Sequence, residues 1–129
     1  MLLSKKYIKS QVSTALKEDL GILGDITSQA TIPVNHNSSA EIKLKEDAVL
    51  CGVEFAIQAF KLLDKKIKIG KQKKDGLILK KGSSILKIYG NTQAILAAER
   101  TALNFLGLMS GIATKANRYS KIAKKYGSK

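Results

Sequence analysis

The residues best placed to do chemistry lie near the end of the chain. Arg100, Asn104, Gly107 and Gly111 fall on one narrow stripe if residues 92–109 and beyond are helical. Two small residues on that stripe admit another backbone or a ligand at close range. Arg100 brings a planar fork of N–H donors suited to a carboxylate or a phosphate, and Asn104 adds an amide. The alternative role for Arg100 is a salt bridge with Glu99 or another nearby carboxylate. A second candidate pair, Glu18-Asp19, closes the first helical segment. Carboxylates there sit at the negative end of the helix dipole, so either another contact holds them or the helix end is frayed and solvated. His36, the only histidine, lies among small polar residues with no second histidine and no carboxylate or cysteine cluster. It reads as a surface loop residue, not a metal ligand. Cys51 has no histidine nearby to activate it and reads as a small core residue.

The elements that position these groups follow from periodicity. Ile8, Val12, Ala15 and Leu16 predict a helix from Lys5 to about Asp19, with Gly21 as its stop. Gly21 to Ser28 is rich in turn residues and predicts a loop, continued irregularly through Pro33 and residues 35–39. Alternation from Ala40 to Lys45 predicts a half-buried strand, and Val49-Leu50-Cys51 a short buried one. A helix is expected from Val53 to Leu63, with Ala56, Ala59, Phe60 and Leu63 inward. Further short strands are expected around Ile67 and Ile69, Leu77 and Leu79, and Ile85 and Ile88. The turns Asp75-Gly76 and Lys80-Lys81-Gly82 separate them. Asn91 is placed to cap a helix from Thr92 to Met109. That helix is apolar nearly all round, so it should be buried between two surfaces. Glu99 falls inside its apolar arc and is expected to be paired. Ser110 is expected to cap a further helix, whose positions Ile112, Ala116, Tyr119, Ala123 and Tyr126 recur at helical spacing.

Composition bounds the function. The chain has 129 residues, 44% hydrophobic and 26% charged, which fits an ordinary globular domain. No apolar run reaches the roughly 18–20 residues of a membrane span, and the apolar start is too short for a signal peptide. One cysteine forms no internal bridge, in line with a reducing compartment, so a soluble cytoplasmic protein is expected. The 23 basic against 10 acidic residues give a net charge of +13, which favours anionic partners. All but Arg100 and Arg118 of the basic residues are lysine, however, the pattern of a solvated surface more than of a phosphate or base reader. The four tyrosines and three phenylalanines mostly fall on apolar helix faces, which argues against a nucleic-acid-binding surface.

An ordered series of motifs resembles quinolinate phosphoribosyltransferase, also called nicotinate-nucleotide pyrophosphorylase (carboxylating). It runs from Ala15-Leu16-Lys17-Glu18-Asp19-Leu20-Gly21 and Gly24-Asp25-Ile26-Thr27-Ser28 through Ala40 to Glu46 and Val49-Leu50-Cys51-Gly52. Leu63-Asp64, Asp75-Gly76, Gly82 and Gly90 keep the family's spacing. The series closes on Ala98-Glu99-Arg100-Thr101-Ala102-Leu103-Asn104-Phe105-Leu106 and Ser110-Gly111-Ile112-Ala113-Thr114. A molybdenum-transport-associated paralogue shares parts of the pattern.

The resemblance implies an α+β fold: a small, mostly antiparallel sheet with flanking helices, hammerhead-like, over residues 1–110. Residues 111–129 would lead by helices into an α/β barrel. It implies a glycosyltransferase of NAD biosynthesis, a phosphoribosyltransferase that joins quinolinate to phosphoribosyl diphosphate and releases pyrophosphate and CO2 to give nicotinate mononucleotide. Magnesium would accompany the diphosphate, and the assembly would be a homo-oligomer built on dimers, with neither nucleic acid nor membrane as partner. The family's threonine-arginine-lysine-threonine and asparagine-histidine-arginine motifs, and its ribose- and magnesium-holding acids, belong to the barrel and do not occur in this sequence. Only Arg100 matches a substrate-contacting position, one that reaches the quinolinate of the neighbouring subunit. No catalytic or metal-ligating residue is expected here, and the role of Asp25 stays open. The chain is therefore expected to be an inactive amino-terminal portion. The alternatives are a remnant or binding module of the same fold, or the paralogue.

Overall fold

A computed structural model describes residues 4–28 and 35–125. The first helix, α1, spans Lys5–Ser28. Ser4 caps it: its Oγ accepts from the Tyr7 amide at 3.1 Å. Ile8, Val12 and Leu16 form its buried face. The helix does not stop at Gly21, and the loop expected over residues 21–28 is helical. A glycine inside a helix costs about 1 kcal/mol relative to alanine, a penalty too small to end it without a proline or a cap. The side chain of Asp25, Pro33 and Tyr126 lie outside the described residues.

Three strands then build an antiparallel sheet. They are β1 (Asn37–Lys43), β3 (Lys68–Gln72) and β5 (Ser84–Asn91), ordered β1-β5-β3. Strand β1 begins earlier than alternation predicts, because Asn37, Ser38 and Ser39 pair with Asn91, Gly90 and Tyr89. Polar residues on an exposed edge strand can hydrogen-bond through their backbone as well as any others. The two remaining strands, β2 (Ala48–Val49) and β4 (Ile78–Leu79), form a separate antiparallel pair. The expected single sheet is thus two.

Helix α2 (Val53–Leu63) buries Val53, Phe55, Ala56, Ile57, Ala59 and Phe60. Helix α3 runs without a break from Thr92 to Lys125. Asn91 caps it as expected, its Oδ1 accepting from the Ala94 amide at 3.0 Å. The break expected at Ser110-Gly111 is absent, and Ser110 is no cap: it is 4% exposed and bonded to another segment. Helices α1 and α2 pack against α3 and against each other, and α3 packs on β1 and β5 of the main sheet. One core joins Val12 and Leu16 of α1, Phe60 of α2, Leu86 and Ile88 of β5, and Ala98, Ala102 and Leu106 of α3. Fully buried side chains such as Phe60 and Leu50 each contribute about 2–3 kcal/mol. Phe55 and Phe105 add a tilted ring contact between α2 and α3, centroids 5.1 Å apart.

Toward its C-terminal end α3 outruns this cover. Leu108, Ile112, Tyr119 and Ile122 are exposed, and of the repeat at Ile112, Ala116, Tyr119 and Ala123 only Ala123 is half-buried. Glu99 is also exposed, contrary to expectation. Its position does fall within the apolar arc. It borders a cavity of about 200 Å³ between α3 and the edge strand β1, which leaves its carboxylate open to solvent.

Candidate functional site

The Arg100 stripe sits on a helix fastened at several heights. At its start Thr92 donates to Ser38 Oγ at 2.8 Å, and the exposed ring of His36 stands 2.7 Å from the Thr92 hydroxyl. Two residues beyond Glu99, the buried Thr101 hydroxyl donates to the Asp19 carboxylate of α1. Because α1 runs on to Ser28, Asp19 lies well inside the helix and not at its negative end, and this charge-assisted hydrogen bond to α3 is what occupies its carboxylate.

Lower down, two hydroxyls bind α3 to the chain entering α2. Ser110 Oγ accepts from the Cys51 amide at 3.0 Å and donates to the Cys51 carbonyl at 3.0 Å. Thr114 Oγ1 accepts from the Val49 amide at 3.0 Å and donates to the Ser110 carbonyl at 2.7 Å. On its other side this segment is held by Asp75, whose carboxylate accepts from the Gly52 and Val53 amides at 3.2 and 3.1 Å. That is the N-cap α2 lacks locally, since Gly52 supplies no side chain. Gly52 must be glycine twice over: its φ is +100°, and a Cβ there would lie 3.0 Å from Met109 Sδ and 3.2 Å from the Phe105 carbonyl oxygen. Cys51 is half-buried, and burial foremost, with the Asp75 charge adding, raises its thiol above the ordinary value; a nearby backbone hydrogen bond opposes this. It is a poor nucleophile, as the sequence indicated.

With other faces of α3 occupied, the stripe itself is bare. Arg100, Asn104, Gly107 and Gly111 are all exposed, and among the described residues Arg100 pairs with no carboxylate, Glu99 included. Asn104, Gly107 and Gly111 line a groove of about 470 Å³, and Arg100 stands beyond its end. The facing wall is the link from β1 to β2, Ile42 to Ala48, while Lys115 and Arg118 extend the α3 wall. Sequence spacing found the helix side of this groove. It missed the opposite wall, which no periodicity connects to residues 60 positions later. Among the described residues no group of three or more His, Cys, Asp or Glu could hold a metal ion, and no helix is long and apolar enough to cross a membrane.

The described residues thus form an α+β domain with an exposed arginine on α3 and an open groove one helical turn further along. Residues 25–110 match the family model described as quinolinate phosphoribosyl transferase, N-terminal domain, and the chain belongs to that family. A relative from Nicotiana tabacum, named quinolinate phosphoribosyltransferase (decarboxylating) 2a, mitochondrial, is 42% identical over 107 residues, covering 83% of this chain and 30% of the relative. The probable nicotinate-nucleotide pyrophosphorylase (carboxylating) of Methanocaldococcus jannaschii is 38% identical over 120 residues, 93% of this chain and 41% of the relative. In three dimensions the chain is similar to the nicotinate-nucleotide pyrophosphorylase from Francisella tularensis, with a TM-score of 0.85 and 29% identity over 96% of this chain and 43% of that one. The chain thus spans less than half the length of these relatives.

Proposed function

We propose that the chain is the amino-terminal portion of a phosphoribosyltransferase that makes nicotinate mononucleotide from quinolinate and phosphoribosyl diphosphate, in NAD biosynthesis. In that reaction the ring nitrogen of quinolinate bonds to the anomeric carbon as the bond to pyrophosphate breaks. The nitrogen becomes cationic and stabilises the electron pair left on the adjacent ring carbon when its bond to CO2 breaks, and that carbon then takes up a proton from solvent. The part assigned to this chain is binding: the Arg100 guanidinium donates two N–H bonds to a quinolinate carboxylate held in the neighbouring subunit of a dimer-based homo-oligomer. The observation that carries this is the exposed Arg100, without a carboxylate partner among the described residues and one helical turn before the groove-lining Asn104, in a chain of this family. Held on a fastened helix, it needs little reorganisation to meet a substrate. Magnesium, implied by the family for the diphosphate, finds no ligand set among the described residues, and no step is assigned to it here. A single cysteine fits the reducing cytoplasm as the place of work.

The isolated chain is expected to give no turnover, because preorganised donors worth about 3 kcal/mol each cannot be replaced by scattered lysines. Joining residues 1–125 to the remainder of the Methanocaldococcus jannaschii relative provides a complete enzyme for the test. There Arg100→Ala should raise the KM for quinolinate at least tenfold. Mixing that subunit with one inactivated in the barrel should restore about one working site per mixed dimer. Turnover by the isolated chain, unchanged quinolinate affinity, or mixed dimers that form without recovering activity would each reject the reading.

A further inference from the structure

A second cavity of about 470 Å³ opens where the main sheet loses its regularity. In β3, Ile69 pairs with Ile88 but Gln72 pairs with Leu86, so Gly70 and Lys71 bulge out. In β5 the pairing with β1 steps from Leu86 opposite Ile42 to Ser84 opposite Lys43, which leaves Ile85 unmatched. Both irregularities meet at the start of β5. Bulges of this kind re-aim side chains and gather beside sites. Here they bring Lys71, Lys73, Lys87 and Ser84 to the wall of one cavity, with Glu41 as its sole acidic residue. The Lys73 amide, donating to the Ile85 carbonyl at 2.8 Å, fixes the end of the bulged segment.

The groups in this wall are unevenly satisfied. Lys43 and Lys87 each place Nζ 3.6 Å from a different oxygen of Glu41. Among the described residues Lys71 and Lys73 pair with no carboxylate. The Ser84 hydroxyl is buried and reaches no hydrogen-bond partner. It stands near enough to Glu41 to be the first cause of that carboxyl's lowered pKa, with the Lys43 and Lys87 charges assisting, yet it completes no bond. Glu41 thus serves as a resident anion that engages part of a larger cationic site and leaves Lys71 and Lys73 without a carboxylate among the described residues.

We propose that this cavity binds a small phosphorylated anion of the diphosphate class, held by Lys71, Lys73 and Lys87 with the Ser84 hydroxyl as a hydrogen-bond donor. The volume lies within the range of small-molecule sites. Ammonium groups act as point charges that suit the tetrahedral phosphoryl group, whereas planar carboxylates favour the arginine fork, which the cavity lacks. Three lysines against one carboxylate favour a ligand with more than one negative charge. The proposal does not depend on the role given to Arg100.

Titration calorimetry of the 129-residue chain with inorganic pyrophosphate at about 0.15 M KCl tests it, since at that ionic strength diffuse surface attraction is largely screened. Saturable binding of one pyrophosphate per chain is expected. Lys71→Ala and Lys87→Ala should each weaken it about tenfold. Ser84→Ala, which changes no charge, should weaken it severalfold, and Glu41→Gln should tighten it. Lys121→Ala, an equal loss of charge on distant α3, should leave it unchanged. The lysines are exposed, so their removal does not threaten the fold. A single-stranded oligonucleotide and vesicles of anionic phospholipid provide the comparison arms, and pyrophosphate should displace either from this cavity. No saturable binding, an equal effect of Lys121→Ala, indifference to both Ser84→Ala and Glu41→Gln, or polymer or vesicle binding that pyrophosphate cannot compete would overturn the proposal.

Discussion

Replacing Gly52 by alanine tests how α2 and α3 are held together. Two separate costs are expected. The residue sits at φ +100°, ψ 13°, a conformation that costs a residue with a Cβ about 1–3 kcal/mol. The added methyl would then lie 3.0 Å from Met109 Sδ, 3.3 Å from Met109 Cβ and 3.2 Å from the Phe105 carbonyl oxygen. Met109 can swing its sulfur away. The Phe105 carbonyl belongs to the middle of α3 and cannot retreat without moving the helix, so overpacking adds about 1–3 kcal/mol. The total, about 2–6 kcal/mol, is a large share of the 5–15 kcal/mol typical of a whole domain. Gly82 separates the two costs: its φ is +88°, but nothing lies within 4 Å of the position its Cβ would take. Gly82→Ala should therefore show only the conformational cost. Urea unfolding followed by helical circular dichroism gives both values, provided the dependence on urea stays the same. If Gly52→Ala costs no more than Gly82→Ala, the close approach of α3 is not what requires glycine at position 52.

Other outcomes follow from the same region and from the sheet. Ser110→Ala removes both bonds to Cys51 and leaves its half-buried amide without that partner, so stability should fall by about 1–2 kcal/mol, read as a lower urea midpoint. The Cys51 thiol, raised by burial and by the Asp75 charge, should react with iodoacetamide at pH 8 more slowly than a free thiol, and Asp75→Asn should speed it; equal rates would remove that charge as a cause. Glu41 has a lowered folded pKa, so its contribution to stability is present above the ordinary value of 4.5 and disappears as pH falls through the lower, folded value. Glu41→Gln should accordingly flatten the acid limb of a stability-against-pH curve and leave its slope near neutrality unchanged.

Where a signal is local, the sequence could be read correctly. The α2 limits, the Asn91 cap and the turns at Asp75-Gly76 and Gly82 each depend on a few adjacent residues, and the structure agrees with them. The motif series likewise led to the family that the comparisons show. The misread elements depended on distant partners. Ser110-Gly111 looks like a cap and a break in isolation, but the Ser110 hydroxyl bonds a backbone 59 residues earlier, and Thr114 one 65 residues earlier. These contacts favour continuing the helix over ending it. Glu99 was placed by helical angle alone, which cannot show that the edge strand leaves a gap beside it. The lysine-lined cavity depends on two register shifts, and nothing in an alternating pattern marks where a ladder skips a residue.

The fastenings of α3 explain why its functional stripe can be bare without being loose. An exposed, unpaired arginine on an isolated helix would sample many positions, and ordering it would cost binding energy. Here the helix is tied at Asn91 and Thr92, at Thr101 through Asp19, and at Ser110 and Thr114 through the chain entering α2. The Thr92 and Thr101 ties lie off the stripe of Arg100, Asn104 and Gly107, whereas Ser110 and Thr114 line the same groove as Asn104 and Gly107. The same residue types could have formed a salt bridge along the helix, since Glu99 is adjacent, but neighbouring positions on a helix point about 100° apart. Helix geometry thus keeps Arg100 apart from Glu99, and the ties of α3 set where its backbone stands, while its exposed side chain keeps its rotamer freedom. Disturbing Ser110 or Asp19 should therefore shift where Arg100 stands while leaving its own chemistry intact.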